Sequence, residues 1–135
     1  MPDRLFVYGT LLPERAPAEL LPLVARLLPL GAASVRGRLY DLGPFPGAVP
    51  DLEAAATIRG RVFDVPDAEL LAALDAYEGD GPDGPGGSGF VREVSRARLE
   101  DGSALECWIY AWRGDVASAR PVEGGDYWAY RDARE

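Results

Sequence analysis

Glu78 is the acid whose position in this 135-residue chain bears most directly on proton transfer. Leu70, Leu71, Leu74 and Tyr77 recur at helical spacing. At about 100° per residue, Glu78 falls about 20° from Leu71, on the side of the helix meant for a core. A carboxylate there is costly unless it has a task. Burial and the negative end of the helix dipole both disfavour its charge, raising its pKa toward the range in which a carboxyl group exchanges protons near neutrality. The spacing also permits a plainer arrangement, in which the helix has ended and Glu78 points to solvent ahead of Gly79.

The turn Tyr8-Gly9-Thr10-Leu11 is the second feature with chemical potential. It follows an apolar run, and glycine allows backbone N–H groups to approach a ligand with no Cβ in the way, an arrangement that suits a carboxylate. An ordinary strand-to-helix turn would use the same residues. Cys107 lies in the apolar run 107–112, where a buried structural thiol is expected, and one cysteine forms no intrachain disulfide. Gly43-Pro44-Phe45-Pro46-Gly47 reads as a stiff connection able to wall a pocket. Tyr127, Trp128 and Tyr130 read as packing that ties down the end of the chain.

Composition removes most competing chemistry. The chain has no histidine, and its 14 basic residues are all arginine. Serine or cysteine nucleophiles paired with histidine, His/Cys zinc sites, lysine Schiff bases and ordinary P-loops are therefore excluded. A carboxyl group, a tyrosine, the thiol and the terminal amine remain for acid–base work. A net charge of −8 opposes binding to a nucleic-acid backbone. No cationic leader and no run approaching the roughly 20 apolar residues of a membrane span is visible, so a cytoplasmic protein without membrane partners is expected.

These residues must be held by a fold, and length and hydrophobic content suit one domain over residues 1–135. Arg4-Leu5-Phe6-Val7-Tyr8 reads as a buried strand. Leu20, Leu23, Val24, Leu27 and Leu28 predict a helix with Pro22 in its first turn, closed by Pro29 and Gly31. Two segments, 36–42 and 59–65, share the pattern Arg-Gly-Arg-apolar-aromatic-Asp-apolar and are expected as neighbouring strands with glycine at a bend. Asp67 is placed to cap a helix over 67–78. Residues 79–89 are too rich in glycine and proline to pack and read as a mobile loop. A hairpin follows, with arms at 90–99 and 105–112 about the Asp101-Gly102 turn. About five strands and two helices predict an α+β fold, a small curved mixed sheet closing into a barrel with flanking helices; an open sheet is the alternative.

Phe6-Val7-Tyr8-Gly9-Thr10-Leu11, Leu39-Tyr40-Asp41-Leu42-Gly43 with Pro46-Gly47, Gly60-Arg61-Val62-Phe63 and Leu74-Asp75-Ala76-Tyr77-Glu78-Gly79 together resemble the γ-glutamylcyclotransferase-like family, including its AIG2-like branch. Phe90-Val91-Arg92, the strand from Cys107 to Tyr110 and Gly125-Asp126-Tyr127-Trp128 resemble its closing elements. The resemblance implies a barrel that binds a γ-glutamyl group, with Tyr8, Gly9, Thr10 and Leu11 gripping its α-carboxylate region and Glu78 as catalytic acid/base. It implies an internal reaction, in which the substrate's α-amine attacks its own γ-carbonyl, forms 5-oxoproline and expels an amine or amino acid. No metal and no organic cofactor is called for. Leu12-Pro13-Glu14-Arg15 lacks the Asn-His pair often found after the turn, and Phe90 stands where tyrosine is common. A non-catalytic module binding small carboxylates and a γ-amide hydrolase are the alternative readings of the same pocket.

Overall fold

Alternation along the strands sorts the apolar residues into two layers on opposite faces of one sheet. The computed structural model describes residues 3–9, 12, 16, 18–42, 46–78 and 90–134. In β1 (Arg4–Val7), Phe6 packs with Val35, Ile58, Val62 and Ile109, whereas Leu5 and Val7 pack with Phe63, Leu70, Leu74 and Trp108. Successive side chains on a strand point to opposite faces, so one cluster fills the inside of the sheet and the other lies between sheet and helices.

The sheet closes on itself. β1 runs antiparallel to β4 (Thr57–Asp64), β4 to β2 (Leu28–Asp41), β2 to β5 (Phe90–Leu99) and β5 to β6 (Ala104–Trp112). β6 then lies parallel to β1, with Leu5 opposite Trp108, completing a five-strand mixed barrel. Closure leaves few open edges for pairing with another chain. β3 (Pro46–Pro50) bridges the far end of β2 to β6, and β7 (Arg120–Pro121) pairs with Tyr40 and Asp41 of β2. A single turn of 3-10 helix leads into α1 (Leu21–Val24), and α2 (Ala68–Glu78) and α3 (Tyr127–Arg134) complete the helices among the described residues. None of these helices is long and apolar enough to cross a membrane.

Several sequence expectations change in detail. The apolar spacing from Leu20 to Leu28 is real, because Leu20, Val24 and Leu27 are buried. The helix nevertheless lasts one turn, and Leu28, Pro29 and Gly31 open β2 instead of closing α1. Pro29 is accommodated because the register shifts between Pro29 and Gly31, a bulge at which a missing N–H is tolerated. The two similar segments do lie on neighbouring strands. Their antiparallel register puts Arg36 opposite Thr57, so residues 37–41 run past β4 and pair with β3. Pro46 and Gly47, expected in a connection, belong to that strand; residues 43–45 lie outside the described ones. The aromatic tail, expected only as packing, is a helix capped by Asp126, whose Oδ1 accepts from the Ala129 N–H at 3.1 Å.

Glycine is required at two crossings. At Gly37, φ is +151° and a Cβ would lie 2.4 Å from the Val49 carbonyl oxygen. At Gly60 a Cβ would lie 2.3 Å from the Val7 carbonyl oxygen, so β4 meets the end of β1 more closely than any other residue allows. The turn after β1 starts from that crossing.

Candidate active site

The end of β1 is fastened on the inner side of the barrel. Tyr8 is buried, and its hydroxyl donates to the Tyr110 carbonyl at 2.5 Å while accepting the Ala48 N–H at 3.3 Å. One phenol thus ties β1, β3 and β6 together at the point where the chain leaves the sheet. Gly9 follows in the turn, and its carbonyl accepts from the Leu12 N–H at 3.1 Å and from Trp128 Nε1 at 3.4 Å. With that carbonyl held by the protein, the turn is braced from both sides, by its own Leu12 and by α3. A Cβ at Gly9 would touch Pro46 Cγ at 3.0 Å, so β3 supports the same residue from below. Thr10 and Leu11 lie outside the described residues.

Helix α2 begins where its sequence requires. Asp67 Oδ1 accepts the Leu70 N–H at 2.8 Å, satisfying one of the free amides of the first turn, and its carboxylate also pairs with Arg26 beyond α1. Leu70 and Leu74 are fully buried against the barrel, whereas Leu71 sits half-buried at the margin. The helix extends through Glu78, its last residue; the Glu78 side chain, like residues 79–89, lies outside what the structure describes. Leu5, Val7 and Leu12 share one packed layer with Leu70, Leu74 and Tyr110. Leu12, which closes the turn after β1, and the helix that ends in Glu78 therefore belong to one packed layer.

One turn of helix before Glu78 lies a polar cluster that the sequence did not announce. Asp75 Oδ1 accepts from Arg92 Nε at 2.7 Å and from the Tyr110 hydroxyl at 2.8 Å. Arg92 and Tyr110 are direct partners across β5 and β6, so both donors arrive from one side of the sheet. The Arg92 guanidinium stacks 4.1 Å from the centroid of Trp108. Both partners of the ion pair are about four-fifths buried, which makes the interaction stronger than an exposed pair and costly to break on one side only. The available signal was Asp75 on the helix three residues before Glu78, but no pattern along the chain gives the β5–β6 register that brings it two donors.

Cys107 is inert by placement. It is wholly buried inside the barrel, its Sγ lies 3.9 Å from the Ser95 carbonyl, and burial pushes its thiol up to about 11. A thiol so raised carries almost no thiolate near neutrality. The structural role expected for it agrees with this environment.

A small closed mixed barrel, with one helix across its outer wall and a turn braced at the end of its first strand, defines an α+β barrel of the cyclotransferase type. The chain belongs to the "Gamma-glutamyl cyclotransferase, AIG2-like" family, whose model matches residues 5–129. It is 33% identical over 130 residues to the γ-glutamylcyclotransferase family protein YtfP of Escherichia coli K12, covering 96% of this chain and 98% of that protein. Among solved structures it resembles YkqA from Bacillus subtilis, with a TM-score of 0.74 and 21% identity over 99% of this chain; the match spans 42% of YkqA. A structure described as "Gamma-glutamyl cyclotransferase" matches 82% of this chain and 66% of its own, with a TM-score of 0.62 and 17% identity. At these identities the structural likeness establishes the fold.

Proposed function

We propose that this protein is a γ-glutamylcyclotransferase, one domain acting in the cytoplasm on a small-molecule γ-glutamyl amine or γ-glutamyl amino acid. In this reading the backbone of Tyr8, Gly9, Thr10 and Leu11 holds the substrate's α-carboxylate region, and Glu78 is the general acid/base. The α-amine attacks the γ-carbonyl carbon, a ring C–N bond forms, and the C–N bond to the departing amine breaks. Glu78 takes the proton lost by the attacking nitrogen and returns it to the leaving one. Nucleophile and electrophile belong to one molecule, so the protein's contribution is to fold the substrate into a reactive conformer and carry that proton.

The observation that supports this reading is the common layer of Leu5, Val7 and Leu12 with Leu70 and Leu74, which joins the end of β1 and the Glu78-bearing helix to one apolar core in a chain of this family. The test is mass-spectrometric detection of 5-oxoproline after incubating wild-type and Glu78→Gln protein with γ-glutamyl amines, γ-glutamyl dipeptides and glutathione. Product from the wild type alone supports it. Free glutamate in place of 5-oxoproline would identify a γ-amide hydrolase, and saturable binding with neither product a carboxylate-binding module.

A further inference from the structure

A cleft of about 660 Å3 lies between the outer wall of the barrel and α3, reaching Tyr8 and Leu12 at one end. Its floor has an unusual charge pattern for a chain of net charge −8. Ser34 of β2 lies directly opposite Arg59 of β4 on one side and Arg98 of β5 on the other. Ala33 and Val35 point into the barrel, so Ser34 and both of its partners face outward into the cleft.

Directly opposed residues on adjacent strands have Cβ atoms about 5 Å apart, which puts two guanidinium stems about 10 Å apart across one small hydroxyl. Among the described residues, no carboxylate pairs with either cation. The Arg98 head group meets the Gly102 carbonyl at 3.2 Å, and the Arg59 head group meets no partner among the described residues. Acids do line the cleft, namely Glu100, Asp126 and Asp132, yet none bonds either arginine, and Asp126 Oδ1 is occupied by the cap of α3. Two like charges held in one row repel each other, and an anion between them removes that repulsion. Guanidinium forks match the geometry of carboxylate and phosphate oxygens, and Ser34 adds a third donor at the centre.

We propose that the Arg59–Ser34–Arg98 row is a binding seat for a small oxyanion, a carboxylate or phosphate group carried by a metabolite whose body lies in the cleft against Trp128. Glu100, Asp126 and Asp132 line the same cleft, so a compact oxyanion suits the row better than a long polyanion. The Arg59–Ser34–Arg98 row shares no residue with the proposed cyclisation site, and it is tested without reference to activity.

The experiment is a backbone-amide NMR titration of the intact chain with inorganic phosphate and, separately, with glutarate, at ionic strength held constant with sodium chloride. Saturating shifts centred on Ser34, Arg59 and Arg98 are expected, at least 10-fold weaker in an Arg59→Gln/Arg98→Gln variant whose remaining spectrum is unchanged. Saturation by phosphate alone assigns the seat to a phosphate ester, by glutarate alone to a carboxylate, and either result supports it. Shifts no larger than those caused by chloride, or equal in wild type and variant, would overturn the proposal while leaving the proposed cyclotransferase reaction untouched.

Discussion

The hydroxyl of Tyr110 donates to Asp75 Oδ1 at 2.8 Å, fastening the helix that ends in Glu78 to the barrel strand whose carbonyl receives the Tyr8 hydroxyl. Tyr110 is thereby joined through its side chain to α2 and through its main chain to the start of the turn. A shift of β6 would move both proposed halves of the site together.

This arrangement makes the three-residue cluster strongly non-additive. Tyr110→Phe removes one donor and leaves Asp75 with Arg92, so a loss of about 1 kcal/mol is expected. Asp75→Ala leaves a largely buried guanidinium without its carboxylate and should cost about 2–3 kcal/mol. With Asp75 gone, adding Tyr110→Phe should cost little more. Urea unfolding of the two single variants and the double variant measures this directly, and equal costs for the two single changes would show that Asp75 is not the hub.

Glu78→Gln separates chemistry from architecture. The change nearly preserves shape at the last residue of α2, so the melting temperature should stay close to that of the wild type. Formation of 5-oxoproline should fall by about 10²- to 10⁴-fold, the usual contribution of a positioned acid/base. Steady-state assay beside thermal melting gives both readings, and a variant that keeps its turnover would remove Glu78 from the proposed mechanism.

What could be read along the chain is whatever local spacing decides. Asp67 three residues before Leu70, with Leu74 one turn further, specifies a capped amphipathic helix within twelve residues, and that helix is present. The Asp101-Gly102 hairpin is equally local, with Gly102 at φ +90°. The start of β2 reads as helix along the chain because its apolar pattern is helical, and only pairing with β4, through a bulge between Pro29 and Gly31, makes it a strand. β3 was missed because Pro46 and Gly47 look like breakers, and only their position opposite Asp41 and Tyr40 makes them strand residues. The helix that carries Glu78 is legible along the chain, whereas the Asp75–Arg92–Tyr110 cluster depends on strand register and is not.

Asp67 serves α2 in two ways that substitution can tell apart. Its Oδ1 caps the Leu70 amide, and its carboxylate pairs with Arg26 in an exposed setting. Asp67→Ala should cost about 1 kcal/mol, the value of an N-cap, with little added by the exposed pair. Asp67→Asn keeps the acceptor and loses the charge, so it should lie within about 0.5 kcal/mol of the wild type. Chemical denaturation of both variants decides between cap and ion pair; an asparagine variant as unstable as the alanine one would assign the stabilisation to charge.

Cys107 gives the fold a defined response to alkaline pH. Burial raises its thiol from an ordinary 9.0 to about 11, because the interior of the barrel disfavours the thiolate. The unfolded chain therefore gives up this proton first as pH rises. Between about 9 and 11 the folded state holds more protons than the unfolded one, and stability falls with pH across that window. The contribution is fully present below pH 9 and reaches a loss of about 2–3 kcal/mol above pH 11, at about 1.4 kcal/mol per pH unit. Cys107→Ala should be less stable than the wild type near neutral pH, because it leaves a small cavity. Its unfolding free energy should nevertheless decline less steeply from pH 9 to 11, so the two curves converge. Parallel curves would mean that Cys107 ionises as readily in the folded barrel as in the unfolded chain.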